Sequence, residues 1–239
     1  IHGGGWTGGT KSEARAKEIC TTLAEAGYVA VSIDYKLGNG AWPQNLHDCK
    51  NAVRFLRANA ERFGVDPQRI AVAGGSAGGH LALMVAFTTG QAGLEPAAPY
   101  PTFTSEVDCV INMYGITNIL TRQTTTPEGK PTGERTLGTA LRVFGAADAA
   151  APVLRVGSPV THVRSDSPPV LILHGRADAT VDYLQAEELA WVLAREKVPH
   201  ELIILDGVGH TFAFQTWGKK KLSRDLRPTV LAFLERHLK

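Results

Sequence analysis

The sequence predicts an α/β fold, a mostly parallel central sheet with helices on both faces. Three observations predict it. Short apolar runs of strand length at residues 28–33, 70–73, 107–113, 169–173 and 201–205 alternate with stretches of helical spacing. One of these runs ends in a glycine-framed serine, Gly74-Gly75-Ser76-Ala77-Gly78, and passes directly into an apolar helical pattern. The 239 residues, 44% of them hydrophobic, suffice for one domain over residues 1–239 with a sizeable core.

The elements follow in order. Ile1 reads as the last residue of a strand and His2-Gly3-Gly4-Gly5-Trp6 as the loop after it, so the sequence reads as N-terminally incomplete, with any leader upstream. Ala16, Ile19, Leu23 and Ala26 share one helical face and Gly27 ends that helix. The β-branched run at 28–33 predicts a buried strand, and Pro43 opens one long amphipathic helix to about Phe63, stopped by Gly64. Asp66-Pro67 turns the chain into the serine strand, and Leu81, Leu83, Met84, Val85 and Phe87 follow as a buried helix. Residues 107–113 are the next strand. The Thr-, Gly- and Pro-rich insert at about 117–138 lacks apolar periodicity and reads either as a mobile lid or as a disordered surface insertion. Strands at 169–173 and 201–205 flank a helix within 181–196, and 223–238 closes the chain as a helix with Leu226, Val230, Phe233 and Leu234 on one face.

Composition excludes several function classes. A net charge of +2 gives no electrostatic case for nucleic acid or an anionic membrane, and no apolar run reaches membrane-spanning length. Three widely spaced cysteines, Cys20, Cys49 and Cys109, read as buried free thiols rather than a disulfide framework or a metal site. The glycines around Ser76 do not form a dinucleotide fingerprint, because Ser76 stands where G-x-G-x-x-G needs its second glycine.

Gly74 to Gly78 fits G-x-S-x-G, a strand-to-helix turn that lifts a serine hydroxyl above the sheet at a helix N-terminus. A serine needs a base to take its proton and a carboxylate to hold the base's tautomer, and both belong in loops at the carboxyl ends of parallel strands. Asp178 follows the strand ending at Leu173, and His210 follows the strand ending at Leu205 in a glycine-rich loop. Asp182 is a distant second for the acid, expected to point outward from a helix start, and Asp206 suits a turn. Among the eight histidines, His80 and His174 read as packed or hydrogen-bonding groups, His47 and His237 as solvated helix residues, and His162 and His200 as loop residues without a partner. For the oxyanion hole, Ala77 supplies one backbone N–H, and His2-Gly3-Gly4-Gly5 matches the HGGG-type loop that supplies others. Trp6, Tyr114, Phe212 and Trp217 are each either pocket-lining or core.

The segments HGGGW at 2–6, SIDYKL at 32–37, GVDPQRIAVAGGSAGGHLA at 64–82, SPPVLILHGRAD at 167–178 and GVGHTF at 207–212 resemble α/β-hydrolase esterases of the hormone-sensitive-lipase-like group, most closely the bacterial acetylxylan/feruloyl esterase-like (BD-FAE type) branch. The resemblance implies the α/β-hydrolase fold, with the strands before Ile1 lacking. It implies nucleophile Ser76, acid Asp178, base His210, and oxyanion donors from Gly4, Gly5 and Ala77, with Gly3 a further donor. It implies no metal or organic cofactor and a small-molecule ester as partner, including acetyl or feruloyl groups of plant polysaccharide. One departure is Val181-Asp182, where the branch often has Val-Pro. An arylformamidase or peptidase using the same triad, and a non-catalytic ligand-binding scaffold, are the rival readings.

Overall fold

In the computed structural model, which describes residues 1–238, the chain runs through α1 (Ala14–Glu25), α2 (Gln44–Ala58), α3 (Ala60–Phe63), β1 (Ala71–Gly75), α4 (Ala77–Phe87), β2 (Cys109–Met113), β3 (Gln123–Thr125), β4 (Pro131–Arg135), α5 (Gly138–Phe144) and α6 (Pro152–Val156). It continues through β5 (Val170–Gly175), α7 (Leu184–Arg195), β6 (His200–Leu205), β7 (Thr216–Trp217), β8 (Lys220–Lys221) and α8 (Arg227–His237). Four strands form an all-parallel sheet in the order β1-β2-β5-β6. β2 and β5 lie in its middle and are buried along their whole length, as expected of a sheet covered on both faces.

Period-2 alternation sorts their side chains into two cores. Val110, Val170 and Ile172 join α2, α4 and α7 on one face, whereas Cys109, Ile111, Leu171 and Leu173 join Phe212, Phe214 and α8 on the other, with Ile19 and Leu23 of α1 packed alongside. α4 is buried on every side, so its apolar composition shows no polar face. α2 is fastened to the loop after α4 by a buried ionic cluster: Lys50 Nζ donates to Thr88 O at 2.6 Å and to Glu95 Oε2 at 2.7 Å, and Arg54 Nη2 donates to Glu95 Oε1 at 2.6 Å. Among the described residues, no helix is long and apolar enough to cross a membrane. The cysteines are free, Cys49 and Cys109 buried and Cys20 half-buried.

Three expectations change. The helix predicted from Pro43 to Phe63 is broken at Asn59, whose backbone leaves the helical region (φ −120°, ψ 24°) and whose side chain donates to Phe55 O at 2.8 Å. Residues 28–33 form no strand. Val29 and Val31 are about half exposed (53% and 49%), the segment and β1 both line a cavity of about 370 Å³, and residues 28–33 pair with no strand of the sheet. Along that side of β1, the backbone of Ile1 makes hydrogen bonds: its N donates to Ala73 O at 2.7 Å, and Gly75 N donates to Ile1 O at 3.4 Å. The polar insert contains an antiparallel hairpin, β3–β4, rather than an unstructured surface loop. Its turn residue Gly129 lies so close to Ala177 and Asp178 that a Cβ there would collide with their backbone.

Candidate active site

The site is built at the carboxyl ends of β1, β5 and β6. At the end of β1 the chain reverses into α4 through Ser76, which holds φ 58° and ψ −123°. A side-chain-bearing residue in that region is strained by roughly 1–3 kcal/mol. The turn is fixed by Ser76 N–H donating to Met113 O at 2.9 Å and His80 N–H donating to Ser76 O at 3.0 Å. Its tightness explains Gly74, where a Cβ would strike the Gly78 carbonyl. Ala77 is the first residue of α4, so its N–H has no acceptor within the helix.

Ser76, Asp178 and His210 are brought together. His210 Nε2 lies 2.9 Å from Ser76 Oγ, and His210 Nδ1 lies 2.6 Å from Asp178 Oδ2. The carboxylate is fully buried, and its other oxygen, Oδ1, accepts from the N–H groups of Thr180 at 2.8 Å and Val181 at 2.9 Å. Burial pushes the Asp178 carboxyl up, but hydrogen bonds from His174 and His210 outweigh it and hold the group well below the usual carboxylate range. The loop carrying His210 is itself braced. Trp217 Nε1 donates to His210 O at 2.9 Å, and the Tyr114 ring meets the imidazole edge-on at 4.9 Å between centroids.

The glycine loop stands against the turn. A Cβ on Gly3 would sit 3.2 Å from Ser76 Cβ. Gly4 (φ 107°) and Gly5 (φ 59°) both have left-handed backbone, and the Gly4 carbonyl accepts from Thr7 N at 3.1 Å and Gly8 N at 3.0 Å. Buried side chains hold this loop from two sides. His2 stacks on Tyr35 at 4.3 Å and its Nδ1 donates to Gly3 O at 2.7 Å, while Tyr35 Oη donates to His2 O at 3.0 Å. Trp6 Nε1 donates to His80 Nδ1 at 3.2 Å, so His80 Nε2 carries the proton given to Gly157 O at 2.7 Å. Burial lowers the His80 pKa to about 4, which keeps this imidazole neutral as the relay requires.

Several other expectations meet the geometry here. Asp182 does not point outward. It is fully buried, accepts Gln123 N–H at 2.8 Å through Oδ2, and burial raises its carboxyl pKa. The insert supplies that partner, which the local helical phase cannot reveal. Asp206 has the turn position, exposed and paired to Arg176 Nε at 2.6 Å. Trp6, Tyr114 and Phe212 are core residues, and Trp217 packs on Gly209 beside the histidine loop. His162 and His200 do find partners, the carbonyls of Val156 at 2.7 Å and Val198 at 2.9 Å. Sequence reasoning missed the contact of His174 with Asp178; the i, i+4 spacing across the strand end was its only signal.

Comparison with known proteins places this chain in a family. The chain is 34% identical over 188 residues to the probable carboxylic ester hydrolase LipM of Mycobacterium tuberculosis, covering 78% of this chain and 42% of LipM. It is 33% identical over 218 residues to esterase LipC of the same organism, covering 89% of this chain and 52% of LipC. The chain thus spans about half the length of these curated relatives. Among solved structures it is similar to a truncated carbohydrate esterase from gut microbiota, with a TM-score of 0.80, 25% identity, and coverage of 99% of this chain and 84% of that one. Its fold is the α/β-hydrolase fold of such esterases. The BD-FAE family model matches residues 1–193, and the chain belongs to the BD-FAE family.

Proposed function

We propose that this chain hydrolyses small carboxylic esters by two-step acyl transfer. His210 takes the Ser76 proton through Nε2 as Oγ attacks the ester carbonyl, and Asp178 holds the Nδ1–H tautomer and steadies the imidazolium. The developing oxyanion is received by backbone N–H groups of Ala77, Gly4 and Gly5, with Gly3 alongside. His210 then returns the proton to the departing alcohol. In the second half, water loses a proton to His210, attacks the acyl carbonyl and releases the acid, restoring Ser76. The observation that carries this reading is the continuous Oγ···Nε2, Nδ1···Oδ2 chain of 2.9 and 2.6 Å, ending on a carboxylate held ionised. The names of LipM, LipC and the gut carbohydrate esterase support the ester linkage, and the last supports a carbohydrate-borne acyl group. Within that class we place acetyl or feruloyl esters of plant polysaccharide.

A panel of p-nitrophenyl esters from acetyl to long acyl chains, with acetylated xylan and a feruloyl sugar ester, tests it. Short esters are cleaved, and Ser76→Ala lowers kcat by on the order of 10⁴-fold or more. Cleavage of amide or formanilide substrates with no ester turnover would replace this reading with a peptidase or an arylformamidase.

A further inference from the structure

We infer that His174 is a positioning residue for the acid of the proposed triad, a second ring donor that shares the Asp178 carboxylate with His210; this rests on the ester-hydrolase reading above. His174 ends the apolar run of β5 just before Gly175, and its side chain is fully buried. Its Nε2 lies 3.3 Å from Asp178 Oδ2, the same oxygen that His210 Nδ1 meets at 2.6 Å, and 3.0 Å from the carbonyl of Val181. Both neighbours are acceptors, so Nε2 carries a proton and offers it between them. Nδ1 of His174 has no hydrogen-bond partner among the described residues, which fits a neutral ring with its lone pair on that side.

The consequence is a carboxylate gripped on both oxygens. Oδ1 receives two backbone N–H groups, and Oδ2 faces two imidazoles, His210 Nδ1 at 2.6 Å and His174 Nε2 at 3.3 Å, the latter sharing its proton with Val181 O. A carboxylate held by His210 alone at Oδ2 would keep its whole charge directed at that ring. With His174 also donating, the carboxylate cannot rotate freely about its axis and its pull on His210 is moderated. The surrounding titratable groups come from four further elements: His210 from the loop after β6, Asp182 ahead of α7, Arg122 from the segment before β3, and Tyr114 after β2, whose ring meets the His210 imidazole at 4.9 Å. Arg122 acts electrostatically on both Asp182 and Asp178, and its Nη2 donates to Thr180 O at 2.8 Å. Apart from His210, none of these supplies Oδ2 with a donor: Arg122 Nη2 donates to Thr180 O, Asp182 accepts from Gln123, and Tyr114 Oη donates to Phe212 O.

The test compares the parent protein, His174→Leu, His174→Gln and Ser76→Ala on p-nitrophenyl acetate across pH, with Tm measured for each. In His174→Leu, kcat falls on the order of tenfold to a hundredfold with KM little changed. The acid limb of the pH–rate profile moves to higher pH, because the undivided charge of Asp178 now holds the imidazolium more tightly. His174→Gln, which restores an N–H donor, recovers most of both effects. The inference is overturned if the limb stays in place and the loss only tracks the folded fraction, or if Gln behaves like Leu. Should His174→Leu fail to fold, the ¹⁵N histidine spectrum of the unsubstituted protein decides: an Nε2–H tautomer for His174 supports the assignment, and an Nδ1–H tautomer removes the donor and ends it. Ser76→Ala separates the two claims. Full activity there sinks the triad itself, whereas an inactive Ser76→Ala beside an unaffected His174→Leu sinks only the role of His174.

Discussion

Ser76 sits in a backbone conformation that side-chain-bearing residues avoid, and the residues around it are chosen by the space that conformation leaves. Gly4 is the clearest case on the facing loop. Its φ of 107° and the proximity of the Gly8 carbonyl leave no room for a methyl group. We expect Gly4→Ala to displace the loop's N–H groups from the oxyanion position. Because those donors act on charge that appears only in the transition state, kcat should fall by roughly 10²–10³-fold while KM changes little. Steady-state kinetics checked against a melting curve decide it, and an unaltered kcat would remove the loop from the mechanism. At this scale Ser76, Asp178 and His210 were legible because each follows an apolar run and sits in a glycine-marked loop. The partners of Asp182 and His174 were not. The Asp182 partner comes from the insert, 59 residues earlier, and the His174 contact depends on how tightly the chain folds back after β5.

Between elements, the buried Lys50–Glu95–Arg54 cluster ties α2 to the loop that leaves α4. Burial pushes the Glu95 carboxyl up, but hydrogen bonds from Lys50 and Ser105 and the Lys50 charge outweigh it and hold the group below its ordinary value. A carboxyl depressed in the folded state contributes stability above its unfolded pKa and loses it as pH falls through the folded one. Glu95→Gln leaves the fully buried Lys50 ammonium without its counter-charge, at a cost of about 3–5 kcal/mol, or a Tm lowered by roughly 6–20 °C near neutral pH. The gap between parent and variant should close as pH drops below about 4.5, the ordinary glutamate value, and into the range where folded Glu95 takes up its proton. Thermal melts at pH 7 and in acid test this, and a gap independent of pH would contradict it. Elements marked by periodicity were legible, as α1, α4 and the four sheet strands illustrate. A strand also needs a neighbour, which is why the β-branched residues 28–33 misled. The break at Asn59 and the β3–β4 hairpin depend on side-chain-to-backbone bonds and docking that apolar spacing does not register.

Over the whole molecule, the parallel sheet is what makes the site. Residues far apart in sequence meet because β1, β5 and β6 all run the same way and end on the same edge. The glycine loop reaches that edge beside Ser76, and the hairpin turn rests on the loop bearing Asp178. In the proposed reaction this assembly turns Ser76 into a nucleophile. The most direct measurement of that activation is intact-protein mass spectrometry after treatment with a fluorophosphonate, which reacts with activated serines and needs no assumption about the natural ester. One phosphonyl group per chain is expected, mapped to the peptide containing Ser76 and absent from Ser76→Ala. A folded protein that stays unlabelled, or that carries the label with Ser76 replaced, would contradict that activation.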